Sequence, residues 1–209
     1  LVLLTAVFFG SLILVRAYHK IACILGIYDI PNNRSSHNKP VPLGAGLTFS
    51  LCLIPVVLFL KENSTIYSNS LYLLLGGSLI CSIMGFWDDI KPIHAYYRLA
   101  VQFLLSVGTF LYLTDFLSIP FNIKFLPFNY PVVSLVFGIL FIMWMINLFN
   151  FMDGLDGLLG SQVFILGICS YFLSAWSGNY QFGLIYLVFS ALTLPFLLFN
   201  WRPAKIFMG

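Results

Sequence analysis

Seven apolar runs, each long enough for a helix to cross a bilayer, set what this chain can fold into. A helix rises about 1.5 Å per residue and a hydrocarbon core is roughly 30 Å thick, so a span needs about 17–25 mostly apolar residues. Such runs fall at about 1–17, 43–60, 71–87, 97–118, 131–149, 158–176 and 181–200, and polar, proline-bearing stretches separate them, notably Pro31 to Pro42 and Pro120 to Pro131. In lipid every backbone polar group must be satisfied inside its own element, and the strictly alternating strands that a closed barrel needs are absent. The predicted class is therefore all-α: a polytopic membrane bundle of about seven transmembrane helices. No repeat or low-complexity tract divides it, so residues 1–209 are expected to form a single integral domain.

Composition excludes the soluble alternative. Hydrophobic residues make up 60% and charged residues 8% of the chain, with a mean hydropathy of +0.97, against about 45–50% and about 25% in soluble domains. Cys23, Cys52, Cys81 and Cys169 sit in apolar runs without metal-ligand spacing and are expected as small buried hydrophobes. The net charge of +3 is dispersed, which argues against a nucleic-acid partner and leaves the lipid bilayer as the surroundings. No basic segment precedes the first run and no small-residue cleavage site follows it, so it does not read as a signal peptide. The chain begins at Leu1 inside an apolar run and stops at Gly209, and both ends read as cuts within a longer protein.

The few charges are sorted. If seven spans alternate, loops at 18–42, 88–96, 150–157 and 201–209 share one side, and those at 61–70, 119–130 and 177–180 share the other. Arg16, Lys20, Arg34, Lys39, Lys91, Arg98, Arg202 and Lys205 fall on or beside the first side, leaving Lys61 and Lys124 for the second. The positive-inside rule makes the first side cytoplasmic. Asp29, Asp88, Asp89, Asp153, Asp156 and the histidines His19, His37 and His94 gather there too, against Glu62 and Asp115 opposite. Ionisable groups at membrane depth are costly and usually functional, so this side is the candidate for a site, although ordinary solvated loops would also carry charge.

Three clusters stand out. Asp88-Asp89 ends the third run; neighbours on a helix point about 100° apart, which favours distinct roles over one shared ion, while a charged helix end at the headgroups remains the bland alternative. Asn147, Asn150, Asp153 and Asp156 recur every three residues and read as a helical spiral of oxygen ligands, loosened by Gly154 and Gly157. Hard cations such as Mg²⁺ favour such oxygens, usually one or two carboxylates together with substrate phosphates. The loop from Tyr28 to Gly46 offers Arg34, His37 and Lys39 as phosphate partners ahead of a helix N-terminus, or simply a basic loop touching anionic lipid. Carboxylates for a metal, bases for phosphates and an apolar surround fit phosphoryl transfer between an aqueous donor and a lipid acceptor.

At these residues the chain resembles the polyprenyl-phosphate N-acetylhexosamine-1-phosphate transferases, which include the enzyme making the first lipid-linked peptidoglycan precursor. Asp29 to Gly46 resembles the family's first cytoplasmic loop. Gly85 to Gln102 is similar to its Asp-Asp motif with the following Arg98 and Gln102, and Asn147 to Gly160 to its Asn-x-x-Asn-x-x-Asp-Gly-x-Asp-Gly motif. Pro203 to Gly209 resembles the next motif, Phe-x-Gly-Asp-x-Gly-Ser, up to the residue before its aspartate, which is a magnesium ligand in the family. A histidine-bearing loop and further spans, about ten or eleven in all, would complete the pattern. Ala45 stands where a glycine is common and Leu43 where an arginine often sits. The opening Asp29-x-Pro31-Asn32-x-Arg34 is closer to the branch using UDP-N-acetylhexosamines than to the one using UDP-muramoyl-pentapeptide.

The resemblance implies an enzyme of the bacterial inner membrane, its site facing the cytoplasm, serving the first membrane step of a cell-envelope glycopolymer such as cell wall or lipopolysaccharide. It would use Mg²⁺, with Mn²⁺ as an alternative, a UDP-sugar donor and undecaprenyl phosphate as the polyprenyl acceptor, release UMP, and be compatible with a homodimer. Asp88 would receive the acceptor's proton and Asp89 organise the acceptor side or the metal. Asn150, Asp153 and Asp156 would serve metal and nucleotide, with Asn147, Arg34, His37, Lys39 and Arg98 binding substrate. Two rivals remain: a transporter, whose acids would sit near the midplane, and an intramembrane aspartyl protease, which would leave the asparagine series unexplained.

Overall fold

The computed structural model describes residues 1–31, 38–64, 66, 68–113 and 131–209. The expected loop residues Arg34 and His37, together with Asp115 and Lys124, lie outside the described residues. Seven helices carry the described chain: α1 (Val2–Leu25), α2 (Gly46–Asn63), α3 (Ser68–Ile90), α4 (Ala95–Leu111), α5 (Pro131–Met152), α6 (Leu158–Trp176) and α7 (Tyr180–Asn200). Six are long and apolar enough to cross a membrane, and α4 is described over 17 residues. The all-α, multi-pass class read from the apolar runs therefore stands.

Two local features differ from the expectation. α1 runs past position 17 to Leu25 because Arg16, His19 and Lys20 do not break it; long cationic side chains extend along a helix to reach polar surroundings. It ends at Gly26, whose φ of 71° is the left-handed conformation that glycine adopts most readily, with the Gly26 N–H on the Ala22 carbonyl. The stretch read as a plain loop contains a short antiparallel ladder, β1 (Tyr28–Asp29) against β2 (Val41–Pro42), with Tyr28 opposite Pro42 and Asp29 opposite Val41. Among the cysteines, Cys52 is buried as expected, whereas Cys23 and Cys169 are exposed on their helices, outside the packed faces.

The described chain forms two compact units, Leu1–Pro92 with Met152–Gly209, and Ile93–Phe151. In the first, α1, α2, α3 and α7 pack around Val7, Leu53, Val57, Leu60, Leu71, Val188 and Leu192, α6 lies against α7, and Val15, Ala45, Phe196 and Ile206 form a smaller core under the loops. Lipid supplies no hydrophobic drive between helices, so close backbone approach and interhelical hydrogen bonds do the work. α6 and α7 meet through Gly160, Gly167 and Gly183: a methyl at Gly167 would overlap Ser190 Oγ and come within 2.7 Å of the Tyr186 carbonyl. Ser190 Oγ donates to the Phe164 carbonyl at 3.0 Å, and Ser11 Oγ of α1 to the Leu192 carbonyl at 2.8 Å. Ser50 of α2 faces Ser82 of α3, Oγ to Oγ, at 2.6 Å. Exposed Trp87 and Trp201 mark one end of this unit, and exposed Trp176 and Tyr180 the other, as interfacial aromatics do.

In the second unit, Gly138 of α5 accommodates the buried Phe110 ring of α4. A polar tie joins the same helices. The Asn147 side-chain amide donates to Gln102 Oε1 at 2.7 Å, and the Gln102 carbonyl accepts from Ser106 Oγ at 2.7 Å.

Candidate active site

The helix order of the first unit brings loops expected on one side to one end. Phe207 N–H donates to the Pro42 carbonyl at 2.9 Å, Ala45 N–H to the Phe207 carbonyl at 3.2 Å, and Gly46 N–H to the Met208 carbonyl at 2.7 Å. The end of the first loop and the segment 206–209 are thereby laid side by side. At the opposite end, Ile66 from the α2–α3 linker and Gly178 to Phe182 from the α6–α7 turn line one cavity of about 430 Å³.

Asp89, Asp153 and Asp156 converge on segment 204–209. The Asn-x-x-Asn-x-x-Asp series does not continue as a helix: α5 carries Asn147 and Asn150 and ends at Met152, leaving Asp153 and Asp156 in a turn that closes at Gly157, φ 72°. Leaving the helix lets each carboxylate meet the returning chain. Asp153 Oδ1 accepts the Met208 N–H at 3.0 Å and Oδ2 the Gly209 N–H at 2.7 Å. Asp156 Oδ2 accepts the Ala204 N–H at 3.2 Å.

Burial pushes the Asp153 carboxyl above the ordinary carboxylate range; the Gly209 and Met208 amides oppose this, and the charge of Asp29 adds to it. Asp88 and Asp89 occupy the last turn of α3, both half-buried. Asp89 lies within electrostatic reach of Asp153, Asp88 and Asp29. Gly209, at φ 82°, lies so close that a methyl on it would overlap Asp89 Oδ2, so one backbone residue separates Asp89 from Asp153.

Asn200, at the end of α7, escapes a reading by motif. It is fully buried, its Oδ1 accepts the Gly157 N–H at 2.9 Å, and its Nδ2 donates to the Ile206 carbonyl at 2.9 Å. The one signal for it is a polar residue closing an otherwise apolar span just before Pro203. Of the remaining candidates, Lys39 is exposed beside β2 in the first unit, and Asn147, Asn150 and Arg98 belong to the second, where both asparagines are exposed and Arg98 is half-buried.

The donor set suits a hard cation. Asp89 Oδ2 and Asp156 Oδ1 are buried oxygens without a hydrogen-bond donor, a costly state for an anionic group that a cation would relieve. Among the described residues, no three acidic, histidine or cysteine side chains are grouped to hold an ion. A metal here would thus depend on few protein carboxylates together with ligand oxygens, which is how Mg²⁺ is commonly held.

Comparison with known proteins agrees with the motifs. The chain is 32% identical over 206 residues to a Bacillus subtilis protein named "Probable undecaprenyl-phosphate N-acetylglucosaminyl 1-phosphate transferase", covering 95% of this chain and 54% of that protein. It is 30% identical over 220 residues to the undecaprenyl-phosphate alpha-N-acetylglucosaminyl 1-phosphate transferase of Yersinia pestis, covering 97% and 56%. It is also 30% identical over 197 residues to the phospho-N-acetylmuramoyl-pentapeptide-transferase of Staphylococcus saprophyticus, covering 83% and 59%. The chain spans about half the length of the curated relatives it matches. The sequence profile of glycosyl transferase family 4 matches residues 71–209, a stretch containing both aspartate motifs, and the chain belongs to that family.

Proposed function

We propose that the protein transfers N-acetylhexosamine-1-phosphate from a UDP-sugar to undecaprenyl phosphate in the bacterial inner membrane, with residues 1–209 as one transferase domain whose site faces the cytoplasm. The observation that carries this is the gathering of Asp89, Asp153 and Asp156 on segment 204–209, with two buried carboxylate oxygens lacking donors. The names of the Bacillus and Yersinia relatives favour an N-acetylglucosamine donor.

An oxygen of the prenyl phosphate attacks the sugar-linked phosphorus; a new P–O bond forms, the P–O bond to the UMP portion breaks, and UMP leaves with the electron pair. Bound Mg²⁺ would neutralise diphosphate charge. By the motif, Asp153, Asp156 and Asn150 would hold it, with ligand oxygens completing the shell and Asp89 organising the acceptor side or the metal. Asp88 would take any proton the acceptor carries, although a phosphate monoester with a second pKa near 6 is mostly dianionic at neutral pH, so charge stabilisation outweighs the base. Asn147, whose amide is oriented by Gln102, together with Arg98, Lys39, Arg34 and His37, would bind nucleotide and phosphates.

The test incubates the complete protein with radiolabelled UDP-N-acetylglucosamine and undecaprenyl phosphate and extracts the lipid. Label should enter the lipid and fail to do so in EDTA. Label crossing vesicle membranes with no lipid-linked sugar would replace the transferase with a transporter.

A further inference from the structure

The first helix contributes to the site a side chain that no motif marks and that lies outside the family match, which begins at residue 71. Tyr18 is half-buried near the end of α1, and its hydroxyl donates to the Leu43 carbonyl at 2.8 Å. The neighbouring carbonyls are held by backbone amides: that of Pro42 by Phe207 N–H at 2.9 Å, that of Gly44 by Leu47 N–H at 3.4 Å and that of Ala45 by Thr48 N–H at 2.9 Å. Leu43 is the one in this run whose carbonyl is held by a side chain from another helix.

The contact is steric as well. Gly44 takes φ 93°, and a methyl on it would overlap the Tyr18 hydroxyl and come within 3.0 Å of the Phe86 ring. Just past this turn, the Ala45 and Gly46 amides hold the carbonyls of Phe207 and Met208. Gly209 follows, lying against both Asp89 and the Gly44 amide. Tyr18 is itself within electrostatic reach of Asp89.

We propose that Tyr18 is a positioning residue for the transfer reaction: by holding the Leu43 carbonyl it fixes the Gly44 turn, and through that turn the backbone against which the Asp89 carboxylate packs. The inference rests on the reaction proposed above. Tyr18 touches no reacting atom in this scheme.

Tyr18→Phe keeps the ring and removes the oxygen, so it tests the bond with little risk to folding. Turnover per folded molecule should fall about 10-fold, with KM for both substrates changing less than about two-fold, because reacting groups shift and binding surfaces do not. In an Asp89→Asn background the same change should cost less than about two-fold further, since residues acting through one another are not additive. Hydrogen exchange supplies a readout free of the reaction: amides of 45–47 and 207–209 should lose protection together in Tyr18→Phe. Unchanged turnover, or a loss that adds in full to that of Asp89→Asn, would overturn the assignment. If the unsubstituted protein forms no lipid-linked sugar, the transferase reading fails on its own. Exchange then decides the clamp, and unchanged protection in both segments would overturn it.

Discussion

The Asp153 carboxylate and the Gly209 backbone amide, 56 positions apart, meet at 2.7 Å, while the other oxygen of Asp153 takes the neighbouring Met208 amide. Both oxygens face donors. Asp153→Asn therefore removes the charge and also sets an NH₂ group against a backbone N–H whichever way the amide turns. Two charge-assisted bonds are weakened at about 1.5–3 kcal/mol each at most, so unfolding should become easier by roughly 1–3 kcal/mol. Turnover should fall by orders of magnitude among molecules that remain folded. Near-normal turnover with unaltered unfolding in detergent would remove Asp153 from both roles.

Asn200 is a second tie between the same segments, and its two bonds need one acceptor and one donor. Asn200→Leu keeps the volume and supplies neither, stranding the Gly157 N–H and the Ile206 carbonyl. Each unsatisfied buried group costs about 1–3 kcal/mol, so the two together are expected to lower stability by roughly 2–6 kcal/mol. Chemical denaturation in mixed micelles measures it, and a change below about 1 kcal/mol would mean that water reaches both groups.

How much of this was legible in the sequence follows from the range of each interaction. The apolar run 158–176 matches α6, Leu158–Trp176, because apolar length and flanking glycines are local signals. The end of α1 differs, since Arg16, His19 and Lys20 read as an interruption although the helix absorbs them. The period of three in the aspartate series predicts a helical spiral. What ends the helix at Met152 includes partners at 204–209, which local periodicity does not register. Tyr18 and Asn200 escape a local reading for a related reason: Tyr18 stands among Arg16, His19 and Lys20 and Asn200 closes an apolar span, and the Leu43 carbonyl and Gly157 amide they hold lie 25 and 43 positions away.

The α6–α7 contact predicts a graded glycine series. At Gly167 a methyl would meet the Tyr186 carbonyl at 2.7 Å, backbone that can yield only if the helices separate. At Gly160 it would meet Leu197 Cδ1 at 2.8 Å, the end of a flexible side chain, and at Gly10 nothing lies within 4 Å. Gly167→Ala should thus destabilise by about 1–3 kcal/mol, as overpacking does, and Gly160→Ala by less. Gly10→Ala should gain a few tenths to about 1 kcal/mol from helix propensity. Unfolding midpoints in one detergent rank the three, and equal midpoints for Gly167→Ala and Gly160→Ala would contradict the packing.

Orientation is testable at two exposed asparagines. Asn38 adjoins β2 at the acidic end of the first unit, and Asn69 starts α3 at the other. Because Cys23 and Cys169 are themselves exposed, single cysteines should be introduced into a cysteine-free background. With the basic end in the cytoplasm, Asn69→Cys should react with an impermeant thiol reagent on intact cells and Asn38→Cys only after lysis. The opposite pattern would invert the topology and move the site to the outer face.

Asp156 differs from Asp153 in a way that separates stability from chemistry. Its Oδ2 accepts the Ala204 N–H at 3.2 Å, whereas its Oδ1 is buried without a donor. An asparagine here can turn its oxygen to Ala204 and place its NH₂ where Oδ1 stood, so no donor is forced against a donor. A charge without full compensation is also removed from a partly buried position, which is often neutral or stabilising. Asp156→Asn should therefore unfold at the same or slightly higher denaturant than the unsubstituted protein, in contrast to Asp153→Asn. If the orphan oxygen serves the cation and diphosphate, turnover should nevertheless fall by about 10²-fold or more, since an anionic ligand has been lost where charge must be neutralised. Excess Mg²⁺ should recover part of that loss if metal affinity is what suffers. Full turnover at limiting Mg²⁺ in a stably folded Asp156→Asn protein would show that Oδ1 is orphaned for another reason and that the cation, if present, is held without it.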